Sequence, residues 1–275
     1  NACLPKLSEF STELGQNEDL YKAYKTLAES EQYSMLDVAQ KKVIDNAVRD
    51  FRLSGVELSQ SDRDEFKKIS QSLTELTAKF EENVMDATHA WQKLITDEAL
   101  LSGLPDSAKA MAAQMAEREE KTGWLFTLDF PSYLPVMTYA DNRELREEMY
   151  TAFATRASDQ GPNPDEWDNT AVIDEILKLR HQLSNLIGFD NHAERSLATK
   201  MAKSPQQVLD FLNDLATRSK PIAEEEVTAL RAFAKETAGM DSLSAWDMTY
   251  FAEKLRQQRS TSCLAPALVC FVDAK

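Results

Sequence analysis

The chain has 275 residues, of which 43% are hydrophobic and 28% are charged, and its net charge at pH 7 is −15. This composition is typical of a globular protein of one large domain or two modest ones. The negative charge argues against nucleic acid and against anionic membrane surfaces as partners, because both would repel the chain. No apolar run approaches the roughly 18 residues that a membrane-spanning helix needs.

Cysteine usage indicates a reducing compartment. Only Cys3, Cys263 and Cys270 are present, and an odd, sparse set forms no disulfide framework. We therefore expect a cytoplasmic protein. The first residue is Asn rather than Met, so we also expect that the true N-terminus is missing.

The scarcity of glycine predicts a helical protein. The chain has 7 glycines, against a usual share of about 7%. Most of them follow an amphipathic stretch, which is where helices end: Gly15, Gly55, Gly123, Gly188 and Gly239. Helices are predicted between these positions at 18–30, 34–54, 61–90, 106–122, 141–157, 169–187, 204–238 and 244–259.

The clearest helical signal runs from Phe66 to Trp91. Ser61 and Asp64 predict a capping box at the start of this helix. A free coiled coil is the alternative, but aromatic and alanine positions favour an antiparallel helical pair inside a globule. The apolar residues are spaced by three or four positions, as on one helix face: Phe66, Ile69, Leu73, Leu76, Phe80, Val84, Ala87 and Trp91.

Two short segments, 91–96 and 124–130, are rich in aromatic and branched residues and predict strands. They are too short for a sheet of their own, so we expect a two-stranded ribbon beside the helix at 106–122. The predicted fold class is all-α, mainly helical with long antiparallel helices and one small two-stranded β-ribbon. More than half of the residues should be helical.

Local signals predict the boundaries of the later elements. Residues 158–168 contain Gly161, Pro162 and Pro164 and are predicted to form a loop. Asp141 with Glu144 predicts a helix N-cap, as does Ser204 followed by Pro205. Pro221 should kink or split its helix.

The histidines do not form a metal site. A zinc peptidase needs two histidines one helical turn apart with a glutamate beside them, and no H-E-x-x-H occurs here. His181 has Asn185 four residues on, which indicates a surface or interhelical histidine. His192 and Glu194 are too close in sequence to share one helical face. His89, beside the apolar face, is interpreted as a packing or hydrogen-bonding residue.

Other chemically suggestive residues are also interpreted as structural. The acidic runs 117–120 and 224–226 predict solvated helix faces, because acid–base catalysis by paired carboxylates needs burial. Cys263 and Cys270 have no histidine nearby and predict neither a zinc nor a redox site. We assign no catalytic, cofactor-binding or metal-binding residue to this chain.

An ordered series of sequence blocks runs through the chain. The blocks are AQKK at 39–42, Asn46-Ala47, Arg49-Asp50-Phe51, FTLDFPSYLPVMTY at 126–139, RELREEMY at 143–150, AFATRAS at 152–158, LRHQL at 179–183, LIGFDN at 186–191, SLATKMA at 196–202, and Trp246-Asp247 with Tyr250-Phe251. In their order and spacing these blocks resemble the thimet oligopeptidase family of zinc metallopeptidases, and within it the bacterial oligopeptidase A group. The resemblance covers 8–259.

The resemblance implies a zinc site on a H-E-x-x-H helix plus a downstream glutamate, all in a C-terminal catalytic half that cannot be assigned to this chain. It implies that 1–243 is a helical region that forms one wall of a channel, and that this channel admits short peptides. It also implies that 244–259 begins the catalytic region. The pattern stops after Arg259, so 260–275 is expected to be an aberrant tail, for which a frameshift is one explanation. Such a tail should not dock as the family's own segment would.

The predicted function is therefore that of a fragment of a zinc-dependent metalloendopeptidase that hydrolyses short peptides in cytosolic peptide turnover. Zinc belongs to the full-length enzyme, and this chain alone should bind none and be inactive. The alternative is a non-catalytic helical peptide-binding or regulatory module, and a third hypothesis is the non-functional product of a damaged gene. An apolar surface facing the missing half is expected among Phe211, Leu215, Leu230, Phe233, Trp246, Tyr250 and Phe251.

Overall fold

A computed structural model describes residues 3–259 of the chain. These residues divide into two compact units. The first comprises 3–85, 157–159 and 165–215, and the second comprises 86–156, 160–164 and 216–259.

The described residues are predominantly helical, as predicted: 72% of them are helical and 3% are in strands. Between residues 3 and 259 there is also one 3₁₀ helix, Glu98–Leu101. The α-helices in chain order are α1 (Leu4–Gly15), α2 (Glu18–Ala28), α3 (Glu31–Met35), α4 (Val38–Leu53), α5 (Gln60–Ala90), α6 (Asp106–Arg118), α7 (Phe130–Tyr139), α8 (Arg143–Ala154), α9 (Thr170–Leu186), α10 (His192–Leu197), α11 (Pro205–Ala238) and α12 (Ala245–Arg259).

Four of these helices, α1, α3, α7 and α10, were not predicted as separate elements, and the predicted helix 34–54 begins too early. The chain breaks this helix at Asp37, whose side chain accepts a hydrogen bond from the Gln40 amide at 2.8 Å. The Gln40 side chain in turn accepts one from the Asp37 amide at 3.0 Å. This reciprocal pair is a capping box, and it starts α4 at Val38.

Two of the predicted N-caps were wrong by one or two residues. α5 is capped by Ser59 rather than Ser61, because the Ser59 hydroxyl accepts from the Asp62 amide at 3.3 Å. α8 is capped by Asn142 rather than Asp141, since Asn142 accepts from the Leu145 amide at 3.1 Å.

The remaining predictions about boundaries have mixed outcomes. The predicted cap at Ser204 is confirmed, with its hydroxyl accepting from the Gln207 amide at 3.2 Å. Pro221 does not split α11, which is assigned as one helix through that residue. The loop at 158–168 is confirmed and contains neither helix nor strand.

The predicted ribbon is present but shorter than expected. β1 (Gln92–Ile95) pairs antiparallel with β2 (Trp124–Thr127), and Ile95 lies opposite Trp124. Gly123 precedes β2 with φ +123°, and a Cβ there would lie 2.4 Å from the Ile95 carbonyl oxygen, so this close approach requires glycine. β2 ends at Thr127 instead of running to residue 130, because α7 begins at Phe130 with Pro131 in its first turn.

The second unit contains the largest core. It is built where the ribbon, α6, α7 and α8 meet, and the side chains of Leu101, Phe126, Leu128, Val136 and Met149 are almost fully buried in it. A smaller cluster in the same unit joins α11 to α12 through Leu230, Phe233, Ala234 and Phe251.

The first unit has two smaller cores. One lies between α5 and α9 and contains Phe66, Ile69, Leu179 and Leu183. The predicted apolar face of α5 therefore packs inside a globule, as expected. The other joins α2 and α4 through Tyr21, Phe51 and Val56. None of the described helices is both long and apolar enough to span a membrane.

Candidate functional site

His181 lies on the exposed face of α9 beside Asn185. The Asn185 side chain is best oriented with its oxygen accepting from His181 Nε2 at 3.0 Å. Its nitrogen then donates to the carbonyls of Phe189 and Asp190 at 2.8 and 3.1 Å. Asn185 lies four residues after His181, where a second metal ligand would be needed. Its hydrogen bonds instead stabilise the turn that follows α9.

His192 is the first residue of α10, and its Nδ1 atom is buried without a hydrogen-bond partner. Burial, together with the positive charges of Arg180, Arg195 and Lys200, lowers the pKa of this imidazole below its ordinary value. The third histidine, His89, is exposed on α5 rather than packed.

No group of three His, Cys, Asp or Glu side chains between residues 3 and 259 is arranged to hold a metal ion. The acidic runs are exposed, as predicted, but only 224–226 lies wholly within a helix, because α6 ends at Arg118 and the run 117–120 continues into the turn that follows it. Cys3 is a free, exposed cysteine. Cys263 and Cys270 lie outside the described residues.

The main polar centre of the second unit is the carboxylate of Asp247, which is fully buried near the start of α12. Arg143 donates from Nε and Nη2 to its two oxygens at 3.0 and 2.8 Å. Arg146 adds a bond from Nη2 at 3.0 Å, and the Ser244 amide adds one at 3.0 Å. Burial by itself raises the pKa of this carboxyl, but these hydrogen bonds outweigh burial and hold the pKa below its ordinary value.

Arg146 is the other buried charge of this centre, with a relative exposure of 2%. Its remaining donors reach the Ala140 carbonyl at 2.6 Å and the Trp246 carbonyl at 3.2 Å. The guanidinium also lies 4.0 Å from the centre of the Tyr250 ring, a cation–π contact. Both charges are therefore paired and hydrogen-bonded, which is the condition for tolerating them in a core.

Asp141 forms a second connection between α12 and the preceding helices. Its carboxylate accepts from Ser102 at 2.8 Å, Tyr250 at 2.8 Å and Lys254 at 3.2 Å. Burial opposes ionisation, but the three donors keep the pKa of Asp141 below its ordinary value. Burial and the Asp141 contact raise the pKa of the Tyr250 phenol.

Two of the blocks that carry the family resemblance contain members of this centre. RELREEMY at 143–150 contains Arg143 and Arg146, and the block Trp246-Asp247 with Tyr250-Phe251 contains Asp247, yet no role could be assigned to these residues from the sequence. Arg143 lies 104 residues before Asp247, so no local spacing reveals the pair.

Each unit also has a concave surface. In the first unit, a pocket of about 570 Å³ lies against α4 and the end of α9. Its arginines are already engaged, Arg49 with Asp50 and Arg52 with Glu57. In the second unit, an open groove of about 950 Å³ lies between α11 and α12.

The apolar residues predicted to face a missing half divide into three groups by exposure. Phe211 and Leu215 are exposed, at 63% and 46%. Trp246 and Tyr250 are half-buried. The other three, Leu230, Phe233 and Phe251, are buried in the core between α11 and α12.

Comparison with known proteins identifies the family. The sequence model of Peptidase family M3 matches residues 136–271, and that of the Neurolysin/Thimet oligopeptidase N-terminal domain matches residues 1–63. The chain belongs to peptidase family M3. The M3 match enters the segment 260–275, which lies outside the described residues, so its aberrant character stays a prediction.

Curated relatives in the family are similar over almost the whole chain. Oligopeptidase A of Escherichia coli (strain K12) is 56% identical over 254 residues, which are 92% of this chain and 37% of that protein. Oligopeptidase A of Haemophilus influenzae is 51% identical over 93% of the chain. The probable cytosolic oligopeptidase A of Arabidopsis thaliana is 42% identical over 93% of the chain. The chain spans 37% of the length of each of these relatives.

Proposed function

We propose that this chain is the N-terminal portion of a zinc-dependent metalloendopeptidase of the oligopeptidase A type, which hydrolyses short peptides in cytosolic peptide turnover. The observation that carries the proposal is the 56% identity to Oligopeptidase A of Escherichia coli along 254 residues. Identity at this level over nearly all of the chain supports a shared role for the matched portion.

Peptide hydrolysis would be carried out by polypeptide that this chain does not span. Zinc, when bound in an M3 enzyme, polarises the scissile carbonyl and lowers the pKa of its water. The sequence contains no H-E-x-x-H, and residues 3–259 offer no group of metal ligands. Within the whole enzyme, 1–243 would form a wall of the peptide channel and 244–259 would begin the catalytic region.

In this arrangement the Asp247 centre has a positioning role. It connects the first turn of α12 to α8 through Arg143 and Arg146. Asp141 connects the middle of α12 to the same region through Tyr250 and Lys254. Because α12 would lead into the catalytic region, these contacts would set the direction in which that region begins.

We expect the 275-residue chain on its own to bind no stoichiometric zinc and to cleave no peptide. Metal analysis of the purified protein and a quenched fluorogenic peptide assay, with and without a chelator, test this expectation. One zinc per chain together with chelator-sensitive turnover would show that the chain contains its own active site.

The role in the whole enzyme is tested with a chimera. Residues 1–259 replace the matched region of Escherichia coli Oligopeptidase A, and the rest of that relative follows. We expect chelator-sensitive cleavage of short peptides within tenfold of the parent enzyme. The matched control replaces the H-E-x-x-H glutamate of the relative's portion by Gln. A folded, zinc-loaded but inactive chimera would overturn the proposal and favour the non-catalytic peptide-binding module.

A further inference from the structure

The groove between α11 and α12 has an apolar floor and a charged rim. Its floor includes the buried or half-buried side chains of Val227 and Leu230 from α11 and of Met248 and Leu255 from α12. The rim carries acidic residues on one side and basic residues on the other: Glu225 and Glu226 on α11, and Arg256 and Arg259 on α12.

The groove continues the buried interface between the two helices. Phe233 and Phe251 pack with ring centres 6.4 Å apart near the connection between α11 and α12. The groove is lined by residues 225–230 of α11 and by residues 248–259 of α12. Ile222, one helical turn beyond the groove on α11, is 59% exposed. The apolar face of α11 therefore extends past the part that α12 covers.

The chemistry of the groove suits a polypeptide better than a small molecule. Small-molecule sites bury most of the ligand and place a few polar groups inward to orient it. Here the polar groups stand on the rim and the floor is apolar, which is the arrangement of a groove that accepts the apolar face of a helix.

We propose that this groove is the docking surface for a helix of the M3 oligopeptidase polypeptide that this chain does not span. The inference rests on the proposed function. Three observations select this occupant: the chain spans 37% of its relatives, the M3 match runs through both helices, and Arg259 at the end of α12 is itself a lining residue. Polypeptide that continues from α12 in the relatives therefore starts at the edge of the groove.

The rim also defines the chemistry of that helix. Its apolar face should carry basic residues on the side toward Glu225 and Glu226, and an acidic residue on the side toward Arg259. These rim charges would set the register of docking, while the apolar floor would supply most of the stabilisation.

Ala252→Glu tests the surface, because Ala252 is exposed on α12 and lies in the groove. The matched control is Ala232→Glu, the same change at an exposed α11 position that does not line the groove. In the 275-residue chain, both variants should keep the parent Tm within about 2 °C. In the chimera of residues 1–259 with the relative, Ala252→Glu should lower the Tm by about 3 °C or more and Ala232→Glu should not. Equal effects in the chimera would overturn the proposal.

Oxidative footprinting gives a readout that does not depend on folding of a variant. Met248 is half-buried and lines the groove, whereas Met201 is 98% exposed and serves as the reference. We expect Met248, normalised to Met201, to be oxidised at least threefold more slowly in the chimera than in the 275-residue chain. Equal rates would overturn the proposal even where the chimera is active, which separates this inference from the proposed function.

The 275-residue chain tests the other occupants. Protection of Met248 that increases with protein concentration would mean that a second copy covers the groove. Protection that disappears when 260–275 is deleted would mean that the chain's own last residues cover it. Either result would overturn the proposed occupant.

Discussion

The two units of the molecule bury polar side chains in different ways. In the first, Asn83 donates to Asn169 at 2.8 Å, and Asn169 donates to the Phe80 carbonyl at 3.1 Å. Both amides are buried, with exposures of 3% and 1%. In the second, Asp247 and Arg146 are buried as ions, with exposures of 0% and 2%.

The difference lies in how many partners each arrangement needs. A neutral amide needs only its hydrogen bonds to be satisfied, so two residues and one carbonyl are enough to join α5 to the start of α9. A buried carboxylate needs opposite charge as well, and Asp247 has two guanidiniums and one backbone amide around it. The charged centre is therefore more sensitive to the loss of one member than the amide pair.

The largest expected effect is that of Asp247→Ala. It leaves Arg146 buried without its counter-ion and should lower the free energy of unfolding by about 3–5 kcal/mol. Urea denaturation followed by circular dichroism measures this. The control is Asp241→Ala, because Asp241 pairs with Lys235 at 2.9 Å on the surface, where a salt bridge is worth about 1 kcal/mol or less. Similar losses for the two variants would mean that burial adds nothing to the centre.

Asn169→Ala should have the next largest effect. It removes the acceptor of the Asn83 side-chain amide and the donor to the Phe80 carbonyl, and an unsatisfied buried group costs about 1–3 kcal/mol. The same denaturation experiment measures the loss, with Asn163→Ala in the exposed loop as the control. If Asn169→Ala lowered the free energy of unfolding more than Asp247→Ala, the amide pair and not the charged centre would be the more sensitive arrangement.

Acid should distinguish the two regions further. The pKa of Asp247 is lowered in the folded state, so its stabilisation is fully present above the unfolded value near 3.8 and is lost as the pH falls through the folded pKa. The stability difference between the parent and Asp247→Asn should therefore shrink as the pH falls below about 4. The difference between the parent and Asn169→Ala should stay constant over the same range. A constant difference for both variants would show that the folded-state pKa of Asp247 is not lowered.

The fold was predictable from sequence where the signal is local. The scarcity of glycine and the three–four spacing on α5 were enough for the helical class, and the ribbon followed from aromatic and branched residues at 91–96 and 124–130. Short helices such as α7 and α10 were missed because α7 has two prolines and an apolar composition, and α10 spans only six residues. In such segments tertiary packing decides the conformation over local propensity.

The polar centre could not have been predicted, because its members are brought together by the fold. Arg146 and Asp247 lie 101 residues apart, and neither stands in a local pattern with the other. Asp141 was predicted to cap α8 because it precedes Glu144 by three positions. In the structure the next residue, Asn142, makes that cap, and Asp141 instead accepts from Tyr250 and Lys254. A residue type that suits a local role also suits a distant one, and only the tertiary contacts decide between them.

The smallest effect is expected at His192 in the first unit. Burial and the nearby charges of Arg180, Arg195 and Lys200 lower the pKa of His192 below 6.5 in the folded state. The unfolded chain therefore binds this proton at higher pH, and stability should fall as the pH drops from about 7 through the folded pKa. Because the side chain is only half-buried, the loss should be small. His192→Asn removes the titrating group, so the difference in Tm between pH 7.5 and pH 5.5 should be smaller in this variant than in the parent. Titration of the His192 ring by NMR measures this lowered pKa directly. A pKa at or above 6.5 would contradict the prediction.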